Sequence, residues 1–253
     1  MSPSRVFSAL LVLLLLVATP AEAEAEIEVD VEIVLTGDIS MSMDMGELYL
    51  QRQGHIQALR HPDVLRAIES GFHGRIAVTY FEWSDPYLQR VVLPWTIIED
   101  AASAEAAAQL IEAAPPLSGI RTSISGAIDR SLQMFAENGF RGTRRVIDIS
   151  GDGQNNAGRP LAAARADALA EGIVINGLAI MLRARPGGTG EADTLDQYFA
   201  EELIGGPGAF MLAVRHPDHL VEAIRRKLVL EIAGLQPEDW PDRTLARAAQ
   251  LRP

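Results

Sequence analysis

The sequence predicts a doubly wound α/β fold: a mostly parallel central sheet with one antiparallel strand, and helices on both faces. Three observations lead there. Short runs rich in β-branched and aromatic residues alternate with helical segments of roughly ten to fifteen residues, the pattern of repeated crossover units. Two strand-like runs, 75–83 and 89–95, are only five residues apart, too few for a crossover, so they must pair antiparallel. The 253 residues are 48% hydrophobic and 22% charged, enough apolar material for the core of one domain.

Each element has its own signal. From Glu28 to Gly37 the residues first alternate and then become continuously apolar, as a buried strand does, and the run stops at Asp38. Residues 44–60 read as a helix. Pro62 suits the first position of a second, short helix ending at Ile68, and Gly71 and Gly74 bracket its exit. The hairpin strands Arg75–Trp83 and Gln89–Trp95 come next, with Tyr80, Phe81 and Trp83 as sheet core and edge. The Ala-rich segment 100–113 is helical, Pro115, Pro116 and Gly119 make a loop, and Ser123–Ala136 is helical again. Arg144–Ser150 is a strand that runs into 151–156, a loop by composition. Then follow a helix from Pro160 to Ala170, a strand from Ile173 to Ile180, a helix from Asp193 to Leu203, a strand from Ala209 to Val214 and a helix from Pro217 to Glu231. The stretch 233–253, with Pro237, Pro241 and a short amphipathic run around Leu245 and Leu251, reads as a flexible C-terminal tail or, alternatively, as a partner-binding helix.

The N-terminus does not belong to the domain. Arg5 precedes an apolar stretch from Phe7 to Ala18, and small residues follow through Ala25, so residues 1–23 are expected to be a secretory signal peptide cut after Ala23, with Ala25 as the competing site. The apolar core is well short of the ~20 residues a membrane-spanning helix needs, so no stable membrane span is expected after cleavage. An exported chain without any cysteine has no disulfide framework and no thiolate chemistry. Lys227 is the only lysine among many arginines, and alanine is abundant, a usage that fits a GC-rich bacterial genome and makes the periplasm, or secretion, the expected location. The net charge of −12 leaves no basic stripe to neutralise phosphates, which argues against a nucleic-acid partner.

Three short segments carry the chemistry. Asp38-Ile39-Ser40-Met41-Ser42 ends the first strand, Thr122 follows a Gly-containing loop and precedes a helix, and Asp152-Gly153 follows a second strand. Helix capping and turn formation are the ordinary uses of such residues. In combination they fit a hard divalent cation, which takes oxygen ligands in near-octahedral array and keeps several waters. In a doubly wound sheet all three segments fall at the carboxyl ends of parallel strands, where ligands collect. The histidines offer a zinc alternative, through the helical spacing of His216 and His219 and the grouping of His55, His61 and His73, but no cysteine assists and no ligand motif is present.

With the order strand, Asp-x-Ser-x-Ser, helix, then Gly-x-x-Thr opening a helix, then strand and Asp-Gly, residues 28–232 resemble a von Willebrand factor A (vWA) domain, and more narrowly an uncharacterised exported bacterial group carrying that domain. The resemblance implies a metal-ion-dependent adhesion site. Ser40 and Ser42 would hold the cation through their hydroxyls, Thr122 would bind it in the ligand-competent form, and Asp38 and Asp152 would act mostly through waters or hydrogen bonds. Mg²⁺ is the implied ion, with Mn²⁺ and Ca²⁺ as alternatives. A cation held largely by neutral hydroxyls keeps much of its charge and seeks an outside carboxylate. The implied partner is an envelope protein offering an Asp or Glu, with no catalysis. Two features depart from the family pattern: Ser150-Gly151 where Thr often precedes the aspartate, and Met41 and Met43 around the serines where small residues are common, which would make a softer rim.

Two other functions fit parts of the pattern. An aspartate at the end of the first strand with another further on also describes phosphatases that form an aspartyl-phosphate, but the position two after Asp38 is Ser40, so the acid that would protonate the leaving group is missing. A structural assembly factor with a vestigial site is the third reading.

Overall fold

The computed structural model describes residues 26–136, 138–184 and 188–240. The signal-peptide reading of residues 1–23 and the tail beyond 240 lie outside the described residues. In chain order the elements are β1 (Ile27–Val29), β2 (Glu32–Asp38), α1 (Met45–Arg60), α2 (Pro62–Glu69), β3 (Ile76–Trp83), β4 (Gln89–Ile98), α3 (Ala101–Ala113), α4 (Ile124–Ala136), β5 (Phe140–Gly142), β6 (Arg145–Gly151), α5 (Leu161–Ala170), β7 (Val174–Ile180), α6 (Leu195–Tyr198), β8 (Met211–Val214) and α7 (Leu220–Ala233).

The main sheet has six strands in the order β4-β3-β2-β6-β7-β8. Every neighbouring pair is parallel except β3 with β4, so the fold is the doubly wound, mostly parallel α/β architecture, with its antiparallel strand at the edge. Pro94 sits in that edge strand, at an irregularity of its pairing with β3, a place where proline is tolerated. Alternate residues of β2 feed the two faces. Ile33 and Leu35 pack with α1, α3 and α7 around Ile56, Leu59, Ile111 and Leu228, while Val34 joins Phe81, Ile147 and Ile149 against Ile124, Ile128, Ala164 and Phe199 on the other side. Tyr80, Phe81 and Trp83 are all fully buried, as core residues of the sheet.

From β2 the chain moves first to β3 and β4 on one side and only later to β6 on the other, so the topological switch point lies between the carboxyl ends of β2 and β6. Asp38 closes β2 and Asp152 follows β6 immediately.

Four elements differ from the sequence expectation. The single strand foreseen from Glu28 to Gly37 is broken at Asp30, whose carboxylate accepts hydrogen bonds from His73 N and Arg75 N at 2.9 and 3.3 Å. Its first part, β1, pairs parallel with β5, a three-residue strand with too short a pattern to be recognised. Buried Glu32 fastens that corner, accepting from Gly142 N at 2.7 Å and Asn138 Nδ2 at 2.5 Å. The helix expected from Asp193 to Leu203 is a 3₁₀ turn at Glu191–Asp193, then α6, then a π turn at Phe199–Leu203. The last helix opens with a 3₁₀ turn at Pro217–His219 before α7. The beginning of the expected loose tail also docks: Arg226 donates to the Pro237 carbonyl at 2.5 Å, and the Arg225 and Arg226 guanidinium carbons stand 5.9 and 5.8 Å from the Trp240 ring centre.

Candidate metal centre

Local chemistry decides which polar groups are left for a ligand. Helix α1 is capped by Asp44, which accepts from Gly46 N and Glu47 N while Glu47 accepts from Asp44 N, a complete capping box. Ser40 and Ser42 are therefore not needed as caps. At α4 the corresponding task falls to Ser123, whose hydroxyl accepts from Gly126 N at 3.2 Å. Thr122 Oγ1 has no hydrogen bond among the described residues. The three hydroxyls whose ordinary use is capping are thus relieved of it by a neighbour.

The structure brings the five residues of the sequence reading to one place. Asp38 is wholly buried and its Oδ1 accepts from Ser40 N at 2.7 Å. The Ser40 and Ser42 hydroxyl oxygens stand 2.9 Å apart, and Ser42 Oγ donates to Asp152 Oδ1 at 2.5 Å. Thr122 faces them: a Cβ placed on Gly153 would lie 3.4 Å from Thr122 Oγ1 and 3.8 Å from Ser42 Oγ. Ser42, Thr122, Asp152 and Gly153 line one cleft of about 290 Å³ together with Glu47 and Arg183. The loops are tied to each other by backbone bonds, Gly119 N to Ile39 O at 2.7 Å and Asn156 N to Thr122 O at 2.8 Å.

Behind these residues lies a shell in which Gln51 and Arg183 were not foreseen, while Gln154, Asn155 and Asn156 read in the sequence either as residues lining the site or as ordinary loop. Gln51 of α1 donates from Nε2 to the Asp38 carbonyl at 2.9 Å and accepts from Ser150 Oγ at 3.0 Å, so one side chain joins the ends of β2 and β6. Asn156 Oδ1 accepts from Thr122 N and Asn155 Oδ1 from Ser125 N, both at 2.9 Å, which makes the loop after β6 the support of the Thr122 loop. Gln51 and His55 form an i, i+4 polar pair on the buried face of α1, a spacing that marks them in the sequence; Arg183, on the loop after β7, carries no such mark. Both departures from the family pattern acquire a reason. At Gly151 a Cβ would lie 2.9 Å from Asp38 Oδ2, so only glycine permits this approach of the two strand ends. Met43 is buried in the core and does not belong to the rim, correcting that expectation, while Met41 is 70% exposed beside the serines.

The electrostatics favour a cation. Burial, reinforced by the nearby Asp152, raises the Asp38 carboxyl to about 7, against the opposing hydrogen bond from Ser40. Asp152 is also raised, first by burial and then by Glu47, while Ser42 and Arg183 oppose the shift. Asp38 Oδ2 is buried without a hydrogen-bond partner. Two desolvated carboxylates, one unpartnered oxygen and three converging hydroxyls match the donor set that Mg²⁺ or Mn²⁺ takes. The His216 and His219 rings lie 5.5 Å apart, but His216 caps its own 3₁₀ turn, and His55 is buried elsewhere and bonded to the Gln51 carbonyl. Among the described residues no group of three His, Cys, Asp or Glu side chains is placed to hold a metal, so a cation site in this fold depends on the hydroxyls.

The sheet order and the strand-end loops define a von Willebrand factor A fold, and solved structures of that fold resemble this one. Proximal thread matrix protein 1 from the mussel byssus, with a zinc-occupied metal-ion-dependent adhesion site, matches with a TM-score of 0.54 and 18% identity over 82% of this chain and 49% of its own. The pilus adhesin SpaC from Lactobacillus rhamnosus GG matches with a TM-score of 0.57 and 16% identity over 83% of this chain and 31% of its own. The vWF domain of the type V pili tip protein Mfa5 from Porphyromonas gingivalis matches with a TM-score of 0.54 and 11% identity over 82% of this chain and 97% of its own. The chain thus spans about half the length of the first and under a third of the second. No curated protein sequence matches it. Over residues 28–236 it matches the family model described as Protein of unknown function (DUF1194), and the chain belongs to that family.

Proposed function

We propose that this protein is an exported, non-enzymatic binding module in which Asp38, Ser40, Ser42, Thr122 and Asp152 hold a divalent cation, Mg²⁺ foremost, and a partner protein's Asp or Glu completes the ion's coordination. The observation that carries the reading is the release of three hydroxyls from capping, together with the contact of Ser40 with Ser42 and the meeting of Ser42, Thr122 and Asp152 in one cleft. The bound ion would supply a positive charge poorly neutralised by its ligands. The chain's own residues do the rest: Gln51 joins the β2 and β6 ends, Asn156 fixes the Thr122 loop, and Met41 and Ile120, 70% and 73% exposed, offer apolar contact beside the cleft. Among the described residues no helix is long and apolar enough to cross a membrane. SpaC is a pilus adhesin and Mfa5 a pilus tip protein, which supports the adhesion class and the export.

Calorimetry tests the metal first. Mg²⁺ or Mn²⁺ is expected to bind the wild type and to lose most of its affinity in Thr122→Ala and Asp152→Ala. A flat titration of the wild type, or an unchanged isotherm in Asp152→Ala, would refute the site. Phosphatase activity with Mg²⁺ that disappears in Asp38→Asn would replace this function with a hydrolytic one. A pull-down from envelope extract, with and without EDTA, reads the partner.

A further inference from the structure

The cleft already contains a positive charge. Arg183, on the loop that follows β7, pairs through Nη2 with Glu47 and holds Nη1 3.8 Å from Asp152 Oδ2. The two carboxylates are nearly inaccessible, with side chains 7% and 8% exposed, whereas the arginine is 48% exposed. Its position is therefore imposed by the anions beneath it and not by packing around it. Asp152 divides its oxygens, Oδ1 to Ser42 and Oδ2 toward Arg183. Glu47 is fixed by its other task, accepting from Asp44 N at 2.7 Å in the capping box.

We infer that Arg183 is a resident counter-cation of the metal centre: it neutralises Glu47 and Asp152 in the metal-free protein and opposes the divalent ion, so it sets the site's affinity for the metal. The inference rests on the metal reading of the preceding section. Its physical basis is competition for one anionic field. A guanidinium and a divalent cation both draw on Asp152, and placing the ion among Ser42, Thr122 and Asp152 brings it within a few ångströms of a fixed positive charge in a partly desolvated cleft. Loading then requires the arginine to yield its hold on Asp152 or the ion to bear the repulsion, and either way affinity falls. A site of this kind stays folded without metal and fills only where the ion is plentiful.

The test is Mn²⁺ calorimetry and thermal melting on the purified protein, comparing wild type with Arg183→Gln and Arg183→Lys. Arg183→Gln is expected to bind Mn²⁺ roughly tenfold more tightly, a screened interaction between close charges. Arg183→Lys, which keeps the charge, is expected to stay within about threefold of wild type. In EDTA the Gln variant should melt below wild type because Glu47 and Asp152 lose their counter-ion, and Mn²⁺ should raise its melting temperature by more than it raises that of wild type. Purely structural salt-bridge loss would lower both melts and leave the affinity alone. Wild type that binds Mn²⁺ with an affinity equal to that of Arg183→Gln, or tighter, overturns the counter-cation role and leaves the metal site standing. Failure of the wild type to bind overturns the metal site and this inference with it.

Discussion

Removing the charge of Lys227 is the most demanding test of the structure's energetics. This lysine is buried beneath α7, with Nζ 2.5 Å from Glu231 Oε1 and 2.8 Å from Asp148 Oδ1, and Asn176 Nδ2 also donates to Glu231 Oε1 at 2.9 Å. Asp148 belongs to β6 and Asn176 to β7, so one ammonium fastens the helix to the middle of the sheet. In Lys227→Met the side chain keeps its length and apolar body while buried Asp148 and Glu231 lose the ammonium that bridges them, and Asp148 is left as an unpaired buried carboxylate. Breaking a buried ion pair by deleting one partner costs about 3–5 kcal/mol. At about 2–4 °C per kcal/mol for a domain of this size, the melting temperature at pH 7 should fall by about 6–20 °C, measured by calorimetry or circular dichroism. A loss below about 1 kcal/mol, or a gain, would show that the network is not closed as described. The triple replacement with Asp148→Asn and Glu231→Gln, which leaves no orphaned charge, should recover part of the loss.

Three further outcomes follow from particular contacts. Burial and Asp148 raise the Glu231 carboxyl from 4.5 to about 8, so the folded state holds a proton that the unfolded chain gives up; stability present below pH 4.5 is lost as pH rises toward 8, and Glu231→Gln should flatten that slope, leaving the same-signed part due to Asp38. Asp44→Ala should cost about 1 kcal/mol by urea unfolding through the lost cap while the cation response persists, whereas Ser42→Ala should do the reverse, weakening the cation response with little change in metal-free stability. If Ser42→Ala destabilised the metal-free protein as Asp44→Ala does, the division of labour between cap and site would be wrong. Gly151→Ala puts a Cβ 2.9 Å from Asp38 Oδ2 and is expected to lower both the melting temperature and the metal-dependent shift, as read by thermal melts with and without Mg²⁺.

The sheet was legible because its strands are buried on both faces and therefore read as unbroken apolar runs, and because a five-residue link permits only an antiparallel hairpin. The candidate site residues stand out in the sequence as Asp-x-Ser-x-Ser and Asp-Gly at the ends of β2 and β6 and as Thr122 ahead of α4, and a doubly wound sheet brings such positions to one edge. Local pattern ran out where partners are distant in the chain. β5 is three residues long and exists only because β1 lies beside it, and the helix expected at 193–203 is divided among three helical types where it meets β7.

By itself, then, the sequence determined the fold class, most of the sheet and helix order and the candidate oxygens near the switch point, because period and composition are local properties. Tertiary structure decided what those oxygens are free to do. Whether Ser42 caps a helix depends on Asp44 and Glu47 closing a capping box of their own, and whether Thr122 does depends on the placement of Ser123. The shared Gln51, the arginine above Glu47 and Asp152 and the lysine between Asp148 and Glu231 join Asp38 to Ser150, Glu47 to Asp152 and Asp148 to Glu231, pairs about 80 to 110 positions apart in the chain. Such long-range pairings answer to burial and Coulomb energy, which only the packed chain defines.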